Sequence, residues 1–404
     1  MRDILFLAHR IPFPPDRGDK IRSWHLLKHL TGLGRVHLAC FADDAADGAH
    51  LAGLREAIGD RLGEVHVEVR GRGKAAAGAR ALIEGRPVSL ALFDSPRLRA
   101  FVGGMLSGER IGTVFAYSGQ MAQFVPLGLR QRFVMDFGDV DSAKFAQYAD
   151  EGSGPMRWVN RREGRKLFAF ERATAERADL CLFVSEAEAD LFRAKTGLAN
   201  VRALSNGIDV DHFDPAAAFA RLGAEERGEG PLILFAGQMD YPPNADAVRW
   251  FARKVLPLVP TARFAIAGRN PLPPVRALAG DRVIVTGAVA DMRTWLAAAD
   301  VVAAPLRVAR GIQNKILEAM AMAKPVVASP AAFEGIEAAP GRDLHVAADA
   351  AAMAESIRDL IASPERAAAM GAAARARMEQ GYRWEARLAP LADIVHPSGR
   401  REAA

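Results

Sequence analysis

The chain has 404 residues, half of them hydrophobic and a quarter charged, with a formal net charge of +5. This is the composition of an ordinary soluble globular protein with apolar material for two cores, and it excludes collagen-like, disordered and disulfide-scaffold classes. Two cysteines, Cys40 and Cys181, fit a reducing compartment, and the small charge excess does not point to nucleic acid. No stretch reaches the roughly 18 apolar residues of a membrane span. The opening "MRDILFLAHRIPFPPDRG" holds an apolar run of about seven residues, shorter than a secretory signal needs. The expectation is a soluble cytoplasmic protein.

In chain order, "DILFLAH" (3–9) predicts a buried strand, followed by a Pro/Gly loop and a helix from about Lys20 to Leu33. "VHLACFA" (36–42), "EVHVEVR" (64–70), "GTVFAYS" (112–118), "RFVMDF" (132–137) and "LCLFVS" (180–185) predict further strands, with helical stretches between most of them. The acidic, Gly- and Ala-rich "FDPAAAFARLGAEERGEGP" (213–231) reads as a linker. After it, "PLILFAG" (231–237), "ARFAIAG" (262–268), "RVIVTGA" (282–288), "DVVAAPL" (300–306) and "PVVAS" (325–329) are β-branched runs, with helices such as 244–256 and 290–299 following. Beyond about residue 350 the chain is helical and Ala-rich. Alternating strands and helices imply βαβ units, so two doubly wound parallel sheets are expected, with ligands outside the carboxyl ends of the strands.

The loops at those ends carry the chemistry. In "AHRIPFPPDRGDKIRSW" (8–24), Gly18 permits close backbone approach at a helix N-terminus, and Lys20 and Arg22 add cations, a geometry suited to phosphate. The competing reading is a Pro-rich turn with solvated charges. In "ARGIQNKILEAMAMA" (309–323), Gly311 and Gln313 open a helix directly after a strand, with Arg307, Arg310 and Lys315 as cations. Glu318 lies seven residues past Gly311, two turns along one face of an apolar helix, either solvated or meeting a ligand. "RFVMDFGDVDSAKF" (132–145) ends a strand in Asp136, Asp139 and Asp141. Asp139-Val-Asp141 has the D-x-D form of a metal–diphosphate motif, but the triplet "DVD" recurs at 209–211; a helix cap or a cleft carboxylate competes with it. Residues 157–177 carry seven Lys and Arg against three Glu, with Trp158, Leu167, Phe168 and Phe170 interleaved, which reads as a surface helix or a membrane-surface contact. No His/Cys cluster has metal-ligand spacing, and no P-loop or G-x-S-x-G motif occurs.

Together, "LCLFVSEAEADLF", "VRALSNGIDVDHFDP", "LILFAGQMDYPPNADAVRWF" and "GIQNKILEAMAMAKPVVAS" resemble family 4 of the retaining glycosyltransferases, which have the GT-B fold. The opening "LAHRIPFPPDRGDKIRSWHLL" with "MDFGDVDSAKF" looks closer still to bacterial sugar transferases associated with exosortase (PEP-CTERM) exopolysaccharide systems. The resemblance implies two Rossmann-like domains facing across a cleft. An acceptor domain would span 1–210, a linker 211–230 and a nucleotide-sugar domain 231–380, with a tail 381–404 packing back on the first domain. It implies a metal-independent transferase without cofactor, moving a sugar from a nucleotide-diphosphate-sugar to a glycan or lipid-linked acceptor in exopolysaccharide biosynthesis. The first domain, with 30 Lys and Arg against 26 Asp and Glu, would touch the membrane surface reversibly.

Residue by residue, Glu318 matches the second Glu of the family's Glu-x7-Glu motif, which holds the donor ribose. The implied donor-binding set is Gly18, Gly237, Gln238, Arg269, Arg307, Gly311, Ile312, Gln313 and Glu318; Asp19, Asp139, Arg310 and Lys315 are the implied catalytic residues. The chain departs from the pattern in three places. Arg310 stands where the first Glu falls, "GQMDYPPN" offers Gln238 and Asp240 where the family has Arg and Lys, and Gly138 with Asp139 takes the place of a His. A sugar-nucleotide epimerase or hydrolase of the same fold, or a non-catalytic nucleotide-sugar-binding component of a polysaccharide assembly complex, are the alternatives.

Overall fold

The computed structural model describes residues 2–70, 74–309 and 311–397. They fall into two compact units: the residues up to Ser205 together with those from Leu388 on, and Asn206–Arg387.

The first unit is built on seven parallel strands: β1 (Asp3–Ala8), β2 (Val36–Ala42), β3 (Leu62–Val69), β4 (Ile111–Tyr117), β5 (Arg132–Gly138), β6 (Leu180–Phe183) and β7 (Val201–Ala203). Their order is β3-β2-β1-β4-β5-β6-β7. Every residue of β2 and β6 is buried, as in a parallel sheet covered by helices on both faces. The second unit has β8 (Leu232–Ala236), β9 (Arg263–Ala267), β10 (Val283–Gly287), β11 (Val301–Ala304), β12 (Val326–Ala328) and β13 (His345–Val346), in the order β10-β9-β8-β11-β12-β13. Strand order reverses between β1 and β4 in the first sheet and between β8 and β11 in the second. Those switch points are where doubly wound sheets take their ligands.

Several boundaries differ from the sequence reading. Residues 211–230 are not a separate linker: they belong to the second unit and include the short helix Ala224–Arg227. The second unit also runs on to Arg387 rather than ending near 380, because both of its ends are tied together. Ile208 N donates to Tyr382 O at 2.6 Å, and Arg375 Nη1 donates to the carbonyls of Val210 and Phe213 at 3.3 and 2.6 Å. The helix expected at 244–256 is Pro242–Trp250 followed by a π-helical turn, Phe251–Val255. The short strands β7 and β13 have too few residues to show a period in the sequence. Among the described residues no helix is long and apolar enough to cross a membrane.

Candidate functional site

In the second unit the site forms at the carboxyl ends of β8, β9 and β11. Gly237 N donates to Ala267 O at 3.0 Å, and Gly268 N to Gly287 O at 3.1 Å. The two loops press together so closely that a Cβ on Gly268 would stand 1.7 Å from Gly237 O. Met239 N donates to Arg269 O at 2.9 Å, which fixes the turn carrying Gln238. Asn244, inside the helix Pro242–Trp250, donates Nδ2 to Gln238 O at 2.9 Å and accepts from Lys315 Nζ at 2.6 Å. The Lys315 ammonium also stands 4.4 Å from the centre of the Phe235 ring. Burial lowers the Lys315 pKa to about 7, against the opposing pull of Glu318.

Lys315 and Glu318 belong to the helix Asn314–Ala321, whose other inward residues are Ile316, Leu317, Ala319, Met320 and Ala321. Gly311 reaches it through a left-handed φ of 61°. Gln313 at the N-cap makes no side-chain bond to the first turn, so the amides and the positive end of the helix stay available to an anion. Ile312 is buried beneath this turn. Asn206, from the "SNGID" segment, donates to Asn314 Oδ1 at 3.1 Å and anchors the helix start. Glu318 is half-buried, and among the described residues its carboxylate has no hydrogen-bond partner. Burial raises its pKa to about 7, with Lys315 pulling the other way.

The expected cation cluster is only partly assembled. Arg307 does not turn inward: its Nε and Nη2 hold Asp246 at 2.9 and 3.0 Å at the surface. An arginine fork and a carboxylate in reach pair readily, so this cation is already engaged. Arg310 lies outside the described residues. Of these three cations, Lys315 is the one the described residues place beside the helix N-terminus.

In the first unit, Gly18 opens the helix Gly18–Leu33 after the loop that leaves β1. Asp19 in its first turn accepts from Arg10 Nη1 at 2.6 Å and pairs with His9 Nε2 at 3.1 Å and Arg17 Nε at 3.2 Å. These partners overcome its burial and hold its pKa far below the carboxylate range. Because Asp19 stays ionised, the His9 proton belongs on Nε2. The buried Nδ1 then has no partner. The His9 ring stands 5.5 Å from that of Tyr117, across the β1/β4 switch point.

Lys20 and Arg22, read as phosphate cations or solvated charges, are each held by an acid of the protein itself. Lys20 Nζ holds Asp47 at 2.5 Å, and Arg22 Nε and Nη2 hold the fully buried Asp136 at 3.1 and 2.8 Å. Both cations are almost wholly buried, and a buried charge of that kind requires its own counter-charge.

Asp139 does not cap the helix Asp141–Glu151 either. The amides there go to more distant acids: Val140 N donates to Glu188 at 2.6 Å and Ser142 N to Glu171 at 3.0 Å. Asp139 is left with a buried, unpartnered Oδ1, and burial with nearby Glu188 raises its pKa to about 7. Among the described residues no group of three or more His, Cys, Asp or Glu is placed to hold a metal ion.

The sequence reading missed His9, Asn206 and Asn244. Asn244 stood inside the quoted "YPPNADAVRWF"; its signal was a polar residue on the inward side of a helix that Pro242 and Pro243 begin.

Residues 230–363 match the family model described as glycosyl transferases group 1. A GDP-mannose-dependent alpha-(1-6)-phosphatidylinositol monomannoside mannosyltransferase of Mycolicibacterium smegmatis is 30% identical over 246 residues, 56% of this chain and 64% of that relative. The Mycobacterium tuberculosis enzyme of the same name is 31% identical over 249 residues, 55% of this chain and 63% of the relative. The chain thus spans less than two thirds of the length of these relatives. Among solved structures, sucrose-phosphate synthase from Thermosynechococcus elongatus superposes with a TM-score of 0.71 at 16% identity, over 98% of both chains. Anabaena Alr3699/HepE in complex with UDP-glucose superposes with a TM-score of 0.68 at 18% identity, over 98% of this chain and 99% of that one. At such identities the superpositions speak for the fold alone. The chain therefore has the GT-B fold of two Rossmann-like sheets, and its residues 230–363 match the glycosyl transferases group 1.

Proposed function

We propose that the protein is a retaining glycosyltransferase that moves a sugar from a nucleoside-diphosphate sugar to a lipid-linked or glycan acceptor. The observation that carries this reading is Glu318: a half-buried carboxylate without a protein donor, two turns behind an uncapped helix N-terminus. In this reading the ribose hydroxyls donate to Glu318, while Lys315 and the amides of Gly311 to Gln313 hold the diphosphate. Charge that develops on the leaving diphosphate meets a fixed cation and a helix dipole, so the reading needs no metal. Gly237 and Gln238 belong to the proposed donor site, where a Cβ on Gly237 would come 2.8 Å from Asn244 Nδ2 and 3.2 Å from Lys315 Nζ. The acceptor docks on the first unit, where Asp19 and Asp139 stand at the carboxyl ends of β1 and β5.

The relatives named above act with GDP-mannose and one structural neighbour holds UDP-glucose, so these are the first donors to try. The opening segment and "MDFGDVDSAKF" support a place in exopolysaccharide biosynthesis. Thermal-shift screening against UDP, GDP, dTDP and their sugars tests the reading. A ligand at 100 times its dissociation constant stabilises the fold by about 2.7 kcal/mol. If no nucleotide raises the melting temperature, the reading fails.

A further inference from the structure

The second unit holds a cavity of about 300 Å³ that no residue of the helix Asn314–Ala321 lines. The turn before β13 brings Arg342 to its wall, and β13 itself brings His345. The last turn of the helix Ala350–Ala362 brings Asp359, and the first turn of the helix Pro364–Gly381 brings Arg366. The buried side chains of Leu360 and Met370 supply apolar surface. Because β13 runs parallel to β12, a turn that precedes it lies at the amino ends of the strands. The helix Asn314–Ala321 starts from the opposite, carboxyl ends, so the cavity is separate from the site of Lys315 and Glu318.

The turn that presents Arg342 is tightly built. Gly341 takes a left-handed φ of 85°, its N donates to Leu344 O at 2.7 Å, and the fully buried Asp343 accepts from Ala339 N at 2.8 Å. Asp343 also accepts from Arg342 Nε and Nη2 at 2.7 and 3.1 Å, which fixes the guanidinium and leaves Nη1 outside the pair. Arg366, His345 and Asp359 have no hydrogen bond or ion pair among the described residues. Ser363 makes no side-chain bond to the first turn of the helix that holds Arg366, so the positive end of this 18-residue helix adds to the two guanidiniums. Glu365 of the same turn is exposed and does not line the cavity.

Two guanidiniums and an imidazole suit the oxygens of a phosphate, the carboxylate of Asp359 suits hydroxyl donors, and Leu360 and Met370 suit a carbon skeleton. The volume is at the small end of ligand sites, the scale of a phosphorylated sugar. The helix Pro364–Gly381 leads from this cavity to the nucleotide site. A Cβ on Gly371, the residue after Met370, would collide with Ala323 O, and Arg375 Nη1 donates to Ala321 O at 2.6 Å. Ala321 is the last residue of the helix that carries Lys315 and Glu318.

We propose that this cavity is an effector site for a phosphorylated sugar, and that the helix Pro364–Gly381 passes its occupancy to the helix of Lys315 and Glu318. The binding site stands on its own lining, while the effect on the nucleotide rests on the glycosyltransferase reading.

Calorimetric titration of the full chain with fructose 6-phosphate, fructose and inorganic phosphate tests this. The sugar phosphate binds, fructose does not, and inorganic phosphate binds more weakly than the sugar phosphate. Arg366→Gln, at an exposed side chain, keeps the wild-type melting temperature and loses about tenfold or more in sugar-phosphate affinity. Ala369→Phe, which puts a ring on the cavity wall, loses it too. Saturating fructose 6-phosphate shifts the nucleoside-diphosphate affinity of wild type by a finite factor of about five or more. Arg366→Gln binds the nucleotide as wild type does and shows no such shift. No sugar-phosphate binding, or an affinity unchanged in both variants, overturns the proposal. So does inorganic phosphate bound as tightly as the sugar phosphate, or full displacement of the sugar phosphate by nucleoside diphosphate, which would place it beside Lys315. Sugar-phosphate binding that leaves the nucleotide affinity unmoved overturns the effector role. Sugar-phosphate binding that depends on Arg366, in a chain that binds no nucleotide, removes the glycosyltransferase reading alone.

Discussion

Lys315 donates its ammonium to the side-chain oxygen of Asn244 at 2.6 Å. The bond holds the cation beside the first turn of its own helix rather than letting it swing out to solvent. Glu318, three residues on, receives no such support from the described residues. The pair is therefore half-built: a positioned cation and a carboxylate waiting for donors. Both are desolvated enough that their pKa values converge on about 7, Lys315 from above and Glu318 from below.

This convergence gives a pH signature. Ribose hydroxyls need Glu318 ionised, and the diphosphate needs Lys315 protonated. Nucleoside-diphosphate affinity is expected to peak near pH 7, falling in acid as Glu318 gains a proton and in alkali as Lys315 loses one. As the groups are coupled, the two limbs report the pair rather than either residue. Glu318→Gln should abolish the acid limb and keep the alkaline one. A calorimetric affinity that is flat across this range contradicts the assignment.

Asp139 makes a prediction about stability. Its folded pKa is raised to about 7 by burial and by Glu188, above the ordinary carboxylate value of the unfolded chain. Between about pH 4 and pH 7 the folded state binds more protons than the unfolded state, so the contribution of this group falls as pH rises through that window. Asp139→Asn removes the penalty. The variant is expected to be more stable than wild type at pH 8, by at most about 4 kcal/mol, and equal to it at pH 4. Urea unfolding at the two pH values measures this, and a variant less stable than wild type at pH 8 contradicts it. If Asp139 also acts on a substrate, the stabilised variant loses transfer activity.

Arg22 is a structural cation. Arg22→Ala leaves the fully buried Asp136 without its counter-charge, and also frees Leu204 O, to which Arg22 donates at 2.9 Å. The expected loss is about 3–5 kcal/mol of first-unit stability, with nucleoside-diphosphate affinity unchanged at temperatures where the variant is folded. Denaturant unfolding with calorimetry on the same sample checks both halves. A weakened nucleotide affinity in a stable variant would return Arg22 to the ligand site.

The strands were legible in the sequence because parallel strands buried on both faces read as continuous apolar runs, as "LILFA" and "VVAA" do here. The helix that carries Glu318 was legible because a glycine follows a strand and one carboxylate interrupts an apolar run. The fate of each cation was not. Arg22 and Arg307 look alike in sequence, yet one neutralises Asp136 in the core and the other pairs with Asp246 at the surface. Those partners are 114 and 61 residues away, and no local pattern records them. His9 escaped for the same reason, since its environment comes from Asp19 and from Tyr117 on another strand.

The most direct measurement is calorimetric titration of GDP-mannose, UDP-glucose and the free nucleoside diphosphates into wild type and Glu318→Gln. The account predicts that wild type binds at least one of these nucleotides. The variant should melt no lower than wild type and bind that ligand about 1.5–3 kcal/mol more weakly, the worth of hydrogen bonds to a charged group. Equal affinity in the two proteins, or no binding to wild type, would contradict the claim that Glu318 holds the donor ribose.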